Sequence, residues 1–184
     1  MALVGLRVPY EAARLLQGID VPGDKLATSN MHVTILYLGH GISVIEVAKA
    51  MCAAHQVTSR TSPFLCGIKD ISSFPVGKDG IPVICPIHSP GLHVLNAALR
   101  AEFDRLGVEY SKKWPEYEPH VTLSYITNSS GSRADLSYLP GPLTWTASEM
   151  VIWGGDEGDE VLSITMPFVL GPVERAARQI SGVG

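Results

Sequence analysis

An α+β fold made by duplication, with two antiparallel sheets facing a central cleft and helices outside, follows from two features of the sequence. The first is a repeat: Met31-His32-Val33-Thr34-Ile35-Leu36-Tyr37-Leu38 returns as Pro119-His120-Val121-Thr122-Leu123-Ser124-Tyr125-Ile126. The copies share His, Val, Thr and Tyr at the same offsets, and each opens an apolar run, so the chain reads as two copies of one unit. The second is the order of elements. It runs strand, helix, His strand, helix, hairpin, helix, His strand and two further strands, which is one strand-rich lobe followed by another.

Ala2 to Val8 is short and apolar and stops at Pro9, a first strand. Tyr10 to Gln17 is a short helix carrying Ala12, Ala13, Leu15 and Leu16 and closed by Gly18. Asp20 to Asn30 holds Pro22, Gly23 and Asp24 and is a loop that delivers the first His strand, residues 31–38. Ser43 and Glu46 form a capping box before a helix over Val44–Val57, whose stripe is Ile45, Ala48, Met51 and Cys52. Phe64–Phe74 and Ile81–Ile87 make a hairpin around Gly77-Lys78-Asp79-Gly80. Ser89-Pro90 starts a helix with buried face Leu92, Leu95, Leu99, Phe103 and Leu106, ended by Gly107. The loop Val108–Pro119 feeds the second His strand, and Thr127–Pro142 is the longest polar connection. Thr144–Trp153 and Glu160–Leu170 are two strands joined through Gly154-Gly155-Asp156-Glu157-Gly158. Residues 1–170 are thus expected to form one domain of two pseudo-symmetric lobes, with 171–184 a frayed tail.

In a strand, alternate side chains share a face. His32 therefore lies beside Thr34, and His120 beside Thr122, while Val33, Ile35 and Tyr37 take the opposite face. By this alternation Tyr37 and Tyr125 are core residues packed on helices.

At 184 residues the chain can bury roughly 70% of its unfolded surface, enough for a core without staples. A net charge of −4 excludes a general nucleic-acid coat or a membrane-surface protein. Cys52, Cys66 and Cys85 are odd in number and contain no Cys-x-x-Cys pair, the pattern of buried thiols in a reducing compartment. With no apolar run near the ~20 residues of a membrane span, the expected location is cytoplasmic.

Two imidazoles on one cleft can divide the work of phosphodiester cleavage. One removes the proton of the attacking hydroxyl, and the other protonates the leaving oxygen, since an imidazole titrates near neutral pH. The Thr hydroxyls can donate to non-bridging phosphate oxygens. The chemistry requires no metal and no cofactor. Which of His32 and His120 is the base stays open at this point.

His32-Val33-Thr34 and His120-Val121-Thr122 resemble the paired motifs of the 2H phosphoesterases. That family includes RNA 2′-5′ ligases, cyclic nucleotide phosphodiesterases and phage (anti-CBASS) nucleases that destroy cyclic-nucleotide immune signals. The resemblance implies the duplicated bilobal fold and a metal-independent hydrolase whose catalytic residues are His32, Thr34, His120 and Thr122. It implies attack on a 2′,3′-cyclic phosphate or on the phosphodiester bonds of a short or cyclic oligonucleotide. The acidic surface favours such ligands over long nucleic acid. The competing class is a non-catalytic module, a cyclic-nucleotide sponge or a virion component. In some phage nucleases of this family an aromatic after the first strand stacks on a base, a place Tyr10 resembles.

Further substrate-binding candidates come from the residues themselves. Trp145, Glu149 and Trp153 share one face of the strand Thr144–Trp153, with Glu149 able to accept from a base edge and Trp153 to stack on a base. Lys112, Lys113 and Trp114 precede His120 and can bring cations and a ring to a substrate phosphate and base. Phe74, at the end of the hairpin strand, is a stacking candidate, though core packing is its default role.

Overall fold

The computed structural model of the chain describes residues 2–127, 141–154 and 162–169. The long connection expected after Thr127 falls mostly outside them, as do the turn after Gly154 and the tail from residue 171. The elements run β1 (Ala2–Arg7), α1 (Tyr10–Gln17), β2 (Asp24–Lys25), a 3₁₀ turn (Thr28–Asn30), β3 (His32–Gly39) and α2 (Val44–Thr58). Then follow β4 (Phe64–Ile68), β5 (Ser72–Ser73), β6 (Ile81–His88), α3 (Pro90–Leu106), β7 (His120–Ile126), β8 (Leu143–Ala147), β9 (Glu149–Gly154) and β10 (Leu162–Pro167). Among the described residues no helix is long and apolar enough to cross a membrane.

The strands form one antiparallel path, β10-β9-β1-β3-β7-β6-β4-β8, in which the two His strands, β3 and β7, are the central neighbours. Four strands lie on each side of that junction, so the path divides into the two expected lobes. The two His strands are bridged at one residue pair, Val33 with Val121. The segment that precedes each His strand supports the other one. Gly23 packs on the Tyr125 carbonyl, β2 pairs with β7, and Leu26 N–H donates to Leu123, while Ser111 N–H donates to the Tyr37 carbonyl.

Both His strands carry a bulge at the same place in the repeat. On β1, Gly5 pairs with Thr34 and Val4 with Leu36, so Ile35 is an extra residue. On β6, Ile84 pairs with Thr122 and Val83 with Ser124, so Leu123 is the extra one. A bulge shifts the alternation by one. Ile35 and Leu36 are both buried, and so are Leu123 and Ser124. Beyond the bulge Tyr37, opposite Leu3, and Tyr125, opposite Pro82, return to the face of the histidines. The core role expected for these tyrosines is therefore overturned; both are only half-buried.

The core lies on the other face. α3 buries Leu92, Leu95, Leu99 and Phe103 as expected, each contributing about 1.5–3 kcal/mol, and stops at Gly107 in the left-handed conformation. Ser89 precedes this helix without capping it, because its hydroxyl donates to the Leu65 carbonyl instead. The capping box of α2 forms as read, Ser43 and Glu46 bonding reciprocally. The stripe of α2 differs from expectation: Ala50, Ala53, Ala54 and Val57 are buried, whereas Ile45, Ala48 and Cys52 are exposed. Small residues let the helix backbone approach its neighbours closely, and this won over side-chain size. Cys66 and Cys85 are buried, and burial pushes their thiols up to about 11 and about 12.

Two expected strands are broken. Phe64–Phe74 divides into β4, which reaches β6 and β8, and β5, which pairs only with β6. Thr144–Trp153 divides at Ser148, where the chain leaves β4 for β1 and so passes from one lobe to the other. That crossing changes the phase of the side chains. Trp145 goes to the core beside Cys66, and only Glu149 and Trp153 share a face.

Candidate active site

The histidine face is built from the register. Because Val33 is opposite Val121 in an antiparallel pair, His32 lies across from Thr122, and Thr34 lies across from His120. Each motif thus borders the other's hydroxyl, and both imidazoles belong to one continuous surface. His120 lies close enough to His32 to feel its charge.

The two rings are held alike. His32 Nδ1 lies 2.7 Å from the Asn30 carbonyl oxygen, and His120 Nδ1 lies 2.7 Å from that of Glu118. A carbonyl can only accept, so Nδ1 carries the proton in both rings. In the neutral ring Nε2 then has a free lone pair, and in the cation it is a donor. Each imidazole can therefore act as base or acid through Nε2 without turning. Burial holds His120 below the ordinary imidazole range, an effect the Glu118 carbonyl opposes and the His32 charge reinforces.

The bulge on β3 is secured from two directions. Asn96, buried on α3, donates from Nδ2 to the Ile35 carbonyl at 2.8 Å. The Tyr117 hydroxyl donates to the Thr34 carbonyl at 3.2 Å, and burial pushes that phenol up, keeping it a donor. These bonds fix the backbone on both sides of the turn that separates Thr34 from Tyr37.

An aromatic ring flanks each histidine. Trp153 lies 5.5 Å from His32 between centroids, tilted by 48°. Phe74 meets His120 edge-on at 4.8 Å, so it is a wall of the site rather than core. Trp153 reaches its place because Gly5 leaves room: a Cβ there would collide with the Val33 carbonyl oxygen and come within 3.0 Å of the indole.

The remaining expected ligand contacts are distributed unevenly. Tyr10 and Glu149 line one cavity of about 550 Å³ at the end of β1, with Arg7, Thr28, Ser29 and Ser148, and neither histidine is among its lining residues. Lys112 lies 3.9 Å from Asp104 and over Tyr110, and Lys113 lies over Trp114. Trp114 itself is exposed and packs its edge on Tyr37, so it borders the histidine face through that residue. Arg100 ties the loop down through the Trp114 and Pro115 carbonyls.

Three residues on this face escaped the sequence reading: Arg7, Tyr37 and Tyr125. For the tyrosines a signal existed, since Ile35-Leu36 are adjacent apolar residues that break alternation just where the repeated Tyr follows. Arg7 was marked only by being the single charge in an apolar strand.

Comparison with known proteins agrees with this architecture. No curated protein sequence matches the chain. Among solved structures, TT0787 of Thermus thermophilus is 17% identical over 93% of this chain and 98% of its own, with a TM-score of 0.72. LigT of E. coli, crystallised with 3′-AMP, is 18% identical over 91% of this chain and 94% of its own, TM-score 0.65. A structure described as a phosphoesterase is 16% identical over 92% and 98%, TM-score 0.64. At these identities the likeness is one of fold. The family model for the 2′-5′ RNA ligase superfamily matches residues 8–159, which include both motif strands and everything between them. On that match the chain belongs to the 2′-5′ RNA ligase superfamily of 2H phosphoesterases.

Proposed function

We propose that the protein is a phosphodiesterase that cleaves 2′,3′-cyclic phosphates or the phosphodiester bonds of short or cyclic oligonucleotides, with His32 and His120 as its acid and base. The observation that carries this reading is the shared tautomer. Both Nδ1 atoms are occupied by backbone carbonyls, and both Nε2 atoms are left to act on one surface. LigT has been crystallised with 3′-AMP, NADP+ and ATP, and its fold likeness makes a small nucleotide a reasonable ligand class here.

In this mechanism His120, whose neutral form burial favours, acts as the base. Its Nε2 takes the proton of the attacking 2′-hydroxyl or water as the new P–O bond forms. Protonated His32 gives its Nε2 proton to the leaving oxygen as the old P–O bond breaks. Thr34 and Thr122 donate to the non-bridging oxygens, where charge builds. The residues supply all the proton transfers, so the mechanism invokes neither metal nor cofactor. One chemistry serves two settings, a phage enzyme that degrades cyclic-nucleotide immune signals and a housekeeping 2′,3′-cyclic phosphodiesterase.

The test is a substrate panel in EDTA: 2′,3′-cyclic mononucleotides, 2′-5′ oligoadenylates and cyclic dinucleotides, with products separated. Turnover that vanishes in both His32→Ala and His120→Ala supports the reading. Each substitution should cost about 10²–10⁴-fold. Recovery of unaltered ligand in stoichiometric complex would replace the enzyme with a non-catalytic binding module.

A further inference from the structure

The two halves of the histidine face are not equivalent in charge. The residue that pairs with His32 across β1 is Arg7, whereas the one that pairs with His120 across β6 is Pro86. Arg7 is exposed, and no carboxylate among the described residues forms an ion pair with it. Its guanidinium lies over Trp153 at 5.2 Å, and Nη2 donates to Ser163 Oγ at 2.7 Å. A flat ring beneath and a hydroxyl at one corner hold the planar fork in a set orientation, with further N–H donors unspent. The same residue lines the 550 Å³ cavity with Tyr10, Ser148 and Glu149.

The direction of the side chain decides what it can hold. Trp153 is on β9 and Ser163 on β10, so the guanidinium reaches across the first lobe, away from β7 and His120. It is therefore poorly placed for a phosphate between the two histidines. It is no farther from His32 than two ring contacts in series, His32 to Trp153 and Trp153 to Arg7. We infer that Arg7 binds a second phosphate of the substrate, one nucleotide removed from the bond that is cleaved, and so selects phosphorylated nucleotides and oligonucleotides over lone cyclic mononucleotides. Arg suits this role because its fork matches phosphate oxygens bidentately and keeps its charge at any working pH.

This inference rests on the phosphodiesterase reading, and its test separates the two. A nucleoside 2′,3′-cyclic phosphate is compared with the same compound bearing a 5′-phosphate, measuring kcat/KM for the wild type, Arg7→Met and Arg7→Lys. Met keeps an aliphatic stem against Trp153, and Lys keeps the charge. The wild type should favour the 5′-phosphorylated substrate by about tenfold to hundredfold, the range for a hydrogen bond to a charged group. Arg7→Met should erase that ratio and Arg7→Lys keep part of it. Both substrates cleaved with no preference would overturn the inference and leave the phosphodiesterase standing. An equal loss on both substrates would also overturn it, since Arg7 would then only support Trp153. Calorimetry with a nucleoside 3′,5′-bisphosphate against the 3′-monophosphate gives a readout free of turnover. If neither cyclic substrate is cleaved but the bisphosphate binds more tightly and Arg7→Met abolishes the difference, the phosphate site stands and the catalytic reading fails.

Discussion

Replacing Asn96 with Leu isolates the support of the β3 bulge. Asn96 is 5% exposed, and its Nδ2 donates to the Ile35 carbonyl at 2.8 Å. Leu has nearly the same size, so no large cavity confuses the result. What is lost is a donor to a buried carbonyl, and an acceptor left without one costs about 1–3 kcal/mol. With the urea dependence usual for small domains, that is a fall of roughly 1 M in the unfolding midpoint. The slope should stay unchanged, because the native and unfolded surfaces are the same. Asn96→Asp should destabilise as well, since a carboxylate there meets the carbonyl with another acceptor. The measurement is equilibrium urea unfolding followed by far-UV circular dichroism and by tryptophan fluorescence. An Asn96→Leu protein within about 0.5 kcal/mol of the wild type would show that the bond to Ile35 adds nothing measurable. It would mean that the bulge is held by strand pairing and by Tyr117, and that Asn96 is incidental.

Two further outcomes follow from the site. Phe74 shields His120, whose position below the ordinary imidazole range comes first from burial. A base must be neutral, so this depression extends activity to lower pH. Phe74→Ser should hydrate the ring, raise its titration point and move the acidic limb of the kcat/KM profile to higher pH. Because the two imidazoles interact, both limbs belong to the pair; a shift confined to the alkaline limb would exchange the roles of His32 and His120. Gly5→Ala should cost about 1–3 kcal/mol in thermal or urea unfolding, since the new Cβ meets the Val33 carbonyl and the Trp153 ring. It should lower activity too, because Val33 sits at the junction of the lobes. Wild-type stability in this variant would show that the two strands can separate there without strain.

The repeat, the α+β order of elements and the shared faces of His32 with Thr34 and His120 with Thr122 are legible in the linear chain. These depend on local rules: alternation within two residues of a strand, a capping box, and the apolar period of α3. Rules of that kind need only near neighbours, so they are visible in one dimension. Whatever depends on where strands meet is set by long-range contacts. Bulges at Ile35 and Leu123 moved Tyr37 and Tyr125 onto the reacting face, because one extra residue reverses a period of two. The crossing at Ser148 sent Trp145 to the core and left Glu149 and Trp153 at the cavity and at His32. The juxtaposition of His32 with Thr122 comes from a single pair, Val33 with Val121, drawn from strands 88 residues apart in the chain. Arg7 gained its meaning from pairing with His32 and resting on Trp153, contacts that alternation along one strand cannot contain.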